Sequence, residues 1–241
     1  MKIDYNLATP SWHDSHLYGP APRWRRRIIR NIVKKLDVKT CLEAGCAQPF
    51  LMLDLKAMGI NMTGCDISVP VIEDNAKTYP DMDFFVTDLC SNMEVSGRVG
   101  YDLVTCSEVL EHLPDYQRAI KNMCNLSKKY IIITVPSGKR YPIDEKVGHL
   151  RHYEPDMLLK PLEDNGFKVI KVMKTGFPFH SLYKRLINIG GGSAISEKYS
   201  SKRYGTFEKL VSTFVYFLFS FNIFPFGSQL IILAQKKEIN I

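Results

Sequence analysis

The chain has 241 residues, 45% of them hydrophobic, with 32 Lys and Arg against 25 Asp and Glu and a formal net charge of +7. That length and apolar content suit one large α/β domain with an elaboration, or two small ones, and exclude general disorder. The charge points to an acidic partner (nucleic acid, anionic lipid or a phosphorylated substrate) without choosing among them.

Residues Met1 to Pro20 read as irregular and aromatic-rich, with Trp12, His13, His16 and Tyr18. They show no signal-peptide pattern, so a cytoplasmic location is expected, with the inner face of a membrane as a variant of it. Pro22 to Leu36 reads as a helix: Pro22 suits the first turn, and Ile28, Ile29, Ile32, Val33 and Leu36 form one apolar face. Its other face carries Arg23, Arg25, Arg26, Arg27, Arg30, Lys34 and Lys35. That face is either solvated or meets an anionic substrate or a membrane.

Alternation follows. Strands are expected at Val38–Glu43, Ile60–Asp66, Met82–Thr87, Tyr101–Cys106 and Tyr130–Val135, with helices at Gln48–Met58, Val69–Tyr79 and Asp115–Asn125 between them. Gly138 to His152 reads as a polar loop, Glu154–Asn165 as a helix ended by Gly166, and Phe167–Lys174 and Ser228–Gln235 as the last two strands. The fold class is therefore α/β, with a seven-stranded, mostly parallel sheet and helices on both faces. Right-handed crossovers would bring every strand's C-terminal end to one edge, where Glu43, Asp66, Asp88 and Ser107 fall.

Four segments result: 1–37, an N-terminal segment and basic helix; 38–175, the core; 176–227, an insertion; and 228–241, the final strand and tail. The insertion begins basic and glycine-rich, with Lys184, Arg185, Gly190-Gly191-Gly192, Lys198, Lys202 and Arg203. It continues as an all-round apolar run, Leu210 to Phe224, too short to span a bilayer. A buried or interfacial helix capping the sheet edge over the acceptor site is expected there, with peripheral membrane contact through 207–226 as an alternative. The six cysteines form no CxxC pair and read as small buried hydrophobes of a reducing compartment.

The most informative stretch is Thr40-Cys41-Leu42-Glu43-Ala44-Gly45-Cys46-Ala47-Gln48-Pro49, with Gly64-Cys65-Asp66 about twenty residues on. Strand, glycine turn, helix, strand, acid is how an open α/β sheet builds a nucleoside crevice, the later acid accepting from ribose hydroxyls. Dinucleotide binders usually carry two further glycines; here those places hold Ala47 and Pro49. Glu43 would repel a pyrophosphate and welcome a cation, so the motif favours S-adenosylmethionine over NAD. A strand–turn–helix with no ligand is the plain alternative.

Five segments resemble the S-adenosylmethionine-dependent methyltransferases with the Rossmann-like fold, in their small-molecule branch. They are Leu42–Ala47, Gly64–Ser68, Phe85–Leu89, Tyr101–Leu113 with its Ser107-Glu108-Val109-Leu110-Glu111-His112, and Gly148–Tyr153. The resemblance implies that Glu43, Ala44 and Gly45 lie against the methionine part of the cofactor. It implies that Asp66 binds the ribose, Ile67 packs on the adenine, Asp88 and Leu89 meet its amino edge, and Ser107 lies near the sulfonium. A long aromatic insertion before the last strand is similar to methyltransferases that modify bacterial surface glycans, which implies polysaccharide biosynthesis.

Methyl transfer from a sulfonium needs alignment and, for a hydroxyl acceptor, a base. Candidate catalytic residues are His112, His149 and His152, with Glu108 and Glu111 as further bases. The plain reading is that they pack or hydrogen-bond within their loops. Glu111 and His112 are two adjacent metal donors without a third at a known spacing, so no metal is expected. Arg151 and Tyr153 are expected to bind substrate, and Lys139, Arg140 and Lys146 make the mouth basic. The expected partner is a small anionic acceptor, such as a nucleotide-sugar, a phosphorylated sugar or a related glycan precursor, methylated on oxygen. No nucleic acid is expected, since no RNA-binding module is appended; a homodimer is allowed. A nucleic-acid methyltransferase, a non-catalytic S-adenosylmethionine-binding or membrane-docking partner, and an NAD enzyme are the competing readings.

Overall fold

The protein is described from a computed structural model, over residues 13–91, 100–189 and 203–237. The strands are β1 (Thr40–Ala44), β2 (Asn61–Asp66), β3 (Asp83–Val86), β4 (Tyr101–Ser107), β5 (Ser127–Pro136), β6 (Phe167–Thr175) and β7 (Gln229–Lys236). The helices are α1 (His13–Tyr18), α2 (Pro20–Val33), α3 (Phe50–Lys56), α4 (Val69–Thr78), α5 (Tyr116–Leu126), α6 (Pro142–Lys146), α7 (Asp156–Asp164), α8 (Phe179–Ile189) and α9 (Thr206–Leu218). Trp12 and the stretch holding Gly190-Gly191-Gly192, Lys198 and Lys202 lie outside the described residues.

One sheet forms in the order β3-β2-β1-β4-β5-β7-β6. Strands β1 to β5 pair in parallel; β7 runs antiparallel between β5 and β6. Not every strand end therefore points the same way. The reversal of β7 brings its first residue, Gln229, beside Pro136 at the ligand edge. The central strands are buried on both faces, as their unbroken apolar runs require. Leu42, Val104, Ile131 and Ile133 pack under α5 and α7 on one face; Cys41, Leu103 and Ile132 pack with Ile29, Met52 and Leu55 on the other.

Three elements depart from the sequence reading. The first segment is helical at α1, where irregular chain was expected, because tertiary partners hold its ends. Asp14 accepts from Tyr204 N (2.7 Å), and the Ser212 hydroxyl donates to the Tyr18 carbonyl (2.6 Å). The loop after β5 contains α6, whose start is capped by Asp144 accepting from Tyr141 N (2.8 Å). Of the apolar run of the insertion, expected to be buried or interfacial, Phe219 is buried, whereas Phe207, Leu210, Phe214 and Phe217 of α9 are exposed, Phe207 to 73%.

Helix α9 lies instead on the basic helix α2. Arg23 and Arg27 sit over the Tyr216 ring at 4.2 and 5.0 Å, and donate to Thr213 and Ser220. Arg26 pairs with Asp54 (3.0 Å) and donates to the His16 carbonyl (2.7 Å), while Arg25 faces Glu108 (3.6 Å). Much of the positive face read from sequence therefore has partners inside the molecule. Five of the six cysteines are buried and all six are free thiols.

Candidate active site

At the end of β2 the Asp66 carboxylate is held from both sides. Its oxygens accept from Ala47 N and Ser68 N, each at 3.0 Å. Those two donors fix the carboxylate on the crevice edge, leaving lone pairs to accept from a diol. Ile67 beside it is 55% exposed, a flat apolar surface next to a polar clamp. Asp88 is exposed after β3 and accepts from Cys90 N (2.8 Å); Leu89 turns into the core. An acid for a ribose, an aliphatic face for a purine and a second acid beyond it fit the nucleoside half of S-adenosylmethionine.

The glycine turn is held by Cys65, whose carbonyl accepts from both Gly45 N (2.8 Å) and Cys46 N (2.9 Å). Gly45 has φ +76°, and a Cβ there would meet Val109 Cγ2 at 2.5 Å. The glycine is required by the close approach of the loop after β4, not by an open space awaiting a ligand. Ala47, at a place where dinucleotide binders usually carry glycine, takes φ +39°. It is fixed there by the Asp66 bond and by Asn75 donating to its carbonyl (2.7 Å). Glu43 is buried with Oε2 lacking a hydrogen-bond partner, and burial pushes its carboxyl up to about 8. A buried acid of this kind gains most from a cation brought to it.

Beyond β4 the backbone is strained: Glu108 has φ +58°. Its Oε1 accepts from Gln229 Nε2 (2.8 Å) and from the Thr134 hydroxyl (3.4 Å). The Ser107 and Thr134 hydroxyls share a 2.9 Å bond, so Ser107 is turned toward β5. Burial alone would raise the Glu108 carboxyl; the Arg25 guanidinium and the Gln229 amide outweigh it and hold the group below its ordinary value. Glu111, on the short turn Leu110–His112, is fully buried, and burial together with the Glu108 charge drives its carboxyl well up.

His112, His149 and His152 come together, as ring centroids 4.8 Å and 5.6 Å apart show. Burial lowers all three imidazoles, His149 to about 4. They are neutral at neutral pH and are weaker bases than free imidazole. Two overlapping sets of donors, Glu111 with His112 and His149, and Asp144 with His149 and His152, each lie within 4.8 Å of one another.

Both residues expected to bind substrate are engaged with the loop after β4. The Tyr153 ring is fully buried and its hydroxyl donates to the Leu110 carbonyl (2.8 Å), so it braces the loop after β4. The Arg151 guanidinium donates to the carbonyls of Leu113 and Pro114 and lies over the Tyr116 ring, which leaves it engaged within the protein. Arg140 is likewise held by Glu145 (2.6 Å) and the Leu150 carbonyl (2.7 Å). Sequence reading missed Asn75, Asn122, Asp144 and Gln229. Asn122 donates to the carbonyls of Leu89 and Ser91 and pins the loop after β3. Single amides on helix faces carry no spacing signal, and Asp144 was hidden in what read as loop.

Residues 15–172 match the methyltransferase-domain family. The chain is 34% identical over 129 residues to the ubiquinone biosynthesis O-methyltransferase of Coxiella burnetii (strain Dugway 5J108-111), covering 52% of this chain and 50% of that one. A protein of the same name from Nitrosomonas europaea is 30% identical over 109 residues, covering 43% and 46%. The chain thus spans about half the length of the curated relatives it matches. Among solved structures, the (4+2)-cyclase SpnF superposes with a TM-score of 0.63 at 18% identity, covering 97% of this chain and 93% of that one. Magnesium protoporphyrin IX methyltransferase (ChlM) from Synechocystis PCC 6803, with bound SAH, gives 0.59 at 16%, covering 97% and 96%. These last two share the fold, and on one fold the chemistry varies. With the family matched over more than half of its length, the chain belongs to the S-adenosylmethionine-dependent methyltransferases of Rossmann-like fold.

Proposed function

We propose that this chain transfers the methyl group of S-adenosylmethionine to a hydroxyl oxygen of a small acceptor bound between the loop after β4 and the loop after β5. The observation that carries the reading is the Asp66 carboxylate, fixed by Ala47 N and Ser68 N beside the exposed Ile67. When bound, the cofactor supplies an activated methyl group; the protein's part is to orient both reactants and receive the acceptor proton. Asp66, Ile67, Asp88 and Leu89 would hold the nucleoside, and Glu43, Ala44 and Gly45 would face the amino-acid end. Glu111 is the stronger base once ionised, since burial raises its carboxyl, and His149 stands 4.0 Å from it to relay a proton. Oxygen as the methylated atom is supported by the relatives named O-methyltransferases. The acceptor class we favour is a sugar-phosphate or nucleotide-sugar hydroxyl of a glycan precursor, with Lys184 as a cation at the mouth; a hydroxylated quinone precursor is the alternative that the relatives' name supports. Calorimetric titration with S-adenosylhomocysteine, then a labelled-methyl screen of both acceptor classes, tests this. No binding of S-adenosylhomocysteine would end the reading, and label on the quinone precursors alone would move the acceptor.

A second reading concerns where the acceptor is met. Among the described residues no helix is long and apolar enough to cross a membrane. Yet α9 presents Phe207, Leu210, Phe214 and Phe217 to solvent, and Phe221, Phe224 and Phe226 continue the patch. Scattered exposed apolar residues need no explanation, whereas a contiguous aromatic patch does. With Lys209 on the same helix and Arg203 near its start, the patch suits shallow insertion into an anionic bilayer face. Co-sedimentation with phosphatidylglycerol vesicles should be lost in Phe214→Glu; equal pelleting of both proteins would refute the contact.

A further inference from the structure

His149 and His152 aim ring nitrogens at one another within hydrogen-bond range. His149 Nδ1 and His152 Nε2 are 3.4 Å apart, and the Asp144 carboxylate lies against both, Oδ1 at 3.7 Å from the first and Oδ2 at 3.3 Å from the second. The far side of the His152 ring fixes what its near side can do. His152 Nδ1 lies 3.1 Å from the Gly138 carbonyl, which can only accept, so the ring proton sits there and Nε2 presents a lone pair. His149 Nε2 faces Glu111 Oε1 at 4.0 Å, beyond hydrogen-bond reach, so the His149 proton can bridge Nδ1 to His152 Nε2 or move to Nε2 when Nδ1 is given to an ion. With that proton on Nε2, two imidazole lone pairs and a carboxylate converge. Glu111 supplies a second, independent sign: both its carboxyl oxygens are buried without a hydrogen-bond partner, directly behind His149.

We propose that Asp144, His149 and His152 bind a divalent transition-metal ion, with Glu111 as the carboxylate behind His149 that orients its ring. Imidazole nitrogens 3.4 Å apart, with one donor atom from each of the three residues lying within 4.8 Å of the others, suit ligands drawn onto one face of an ion with bonds of about 2.0–2.2 Å. Two imidazoles select zinc, iron, cobalt or nickel over magnesium and calcium, which prefer oxygen donors. A carbonyl or carboxylate on the outer nitrogen of each histidine is the usual support of such ligands. Asp144 is already anchored by Tyr141 N at 2.8 Å through Oδ2, and α6 is thereby built around the site. Lys184 Nζ, 3.7 Å from Asp144 Oδ1, is the competing cation at one corner of the cluster. The sequence offered only the adjacent pair Glu111-His112, whereas the fold adds donors from 33 to 40 positions on. Binding of the ion does not depend on the methyl-transfer reading, although an open coordination position there would acidify an acceptor hydroxyl.

The test uses the full chain carrying Cys90→Ser, which removes the partly exposed thiol. After chelator stripping it is titrated calorimetrically with Zn²⁺ and followed optically with Co²⁺. One equivalent is expected, with nitrogen–oxygen ligand-field bands and no thiolate charge-transfer band. Asp144→Asn keeps an acceptor for Tyr141 N, and His152→Gln keeps the bulk; each should weaken Zn²⁺ at least about tenfold while circular dichroism shows the same fold. No one-equivalent binding, a thiolate band, or unchanged affinity in both variants overturns the site. Labelled methyl turnover in the same samples separates the two readings. An ion bound with no turnover keeps the site and sinks methyl transfer, and turnover with no ion does the reverse.

Discussion

Gln229, the first residue of β7, donates its amide to Glu108 Oε1 at 2.8 Å and to the Val135 carbonyl at 3.0 Å. One side chain thus ties the strained residue after β4 to the edge of β5. The antiparallel return of β7 alone makes this contact available.

Gln229→Leu should therefore cost about 1–3 kcal/mol in urea unfolding, since it leaves Glu108 Oε1 only the Thr134 hydroxyl at 3.4 Å and takes a donor from the buried Val135 carbonyl. Glu108 also has a pH signature. Its carboxyl is held below the ordinary value, so its contribution is complete above the unfolded value of about 4.3 and is lost as pH falls through the folded one. Glu108→Gln should flatten the acid limb of stability against pH. An acid limb of unchanged slope would contradict the pairing with Arg25 and Gln229.

Glu43 titrates in the opposite sense. Burial raises its carboxyl to about 8, so the folded protein holds a proton that the unfolded chain releases. Stability should fall as pH rises from about 4.3 toward 8, and Glu43→Gln should remove that slope. A bound ammonium would favour the ionised form. Titrations with S-adenosylhomocysteine in buffers of different ionisation heat should then show proton release at pH 7 that Glu43→Gln abolishes.

Gly45→Ala meets two obstacles. The residue must take φ +76°, which disfavours any Cβ by about 1–2 kcal/mol, and that Cβ would stand 2.5 Å from Val109 Cγ2. Val109→Ala in the same chain should recover the contact portion and leave the backbone portion. A double-mutant cycle read by thermal unfolding checks this, and strict additivity would show that the two loops do not meet.

Asp66→Ala should weaken S-adenosylhomocysteine about ten- to a hundredfold, the range for hydrogen bonds to a charged acceptor. It also leaves Ala47 N and Ser68 N without their acceptor, so the Gly45–Ala47 turn should loosen. Asp66→Asn, which retains one carbonyl oxygen, should fall between the two. Calorimetry decides, and equal affinity in all three proteins would place the nucleoside elsewhere.

The sequence by itself determined the alternation of strands and helices, the glycine turn after β1 and the carboxylate at the end of β2. Those are local matters: periodicity, a glycine that needs positive φ, and an acid at a strand end are set within a few neighbours. Helix α6 and helix α1 escaped it because each is short: α6 starts on a cap from its own Asp144, and α1 is held by Tyr204 N and the Ser212 hydroxyl from far along the chain. Arg151 and Tyr153 read as ligand contacts because their types suit binding; only packing showed one ring sealed in the core and one guanidinium fastened to loop carbonyls. Tertiary structure likewise set Val109 against Gly45. It also brought Asp144, Glu111, His149 and His152 into one cluster, because the end of β4 and the loop after β5 meet only when parallel strands lie side by side.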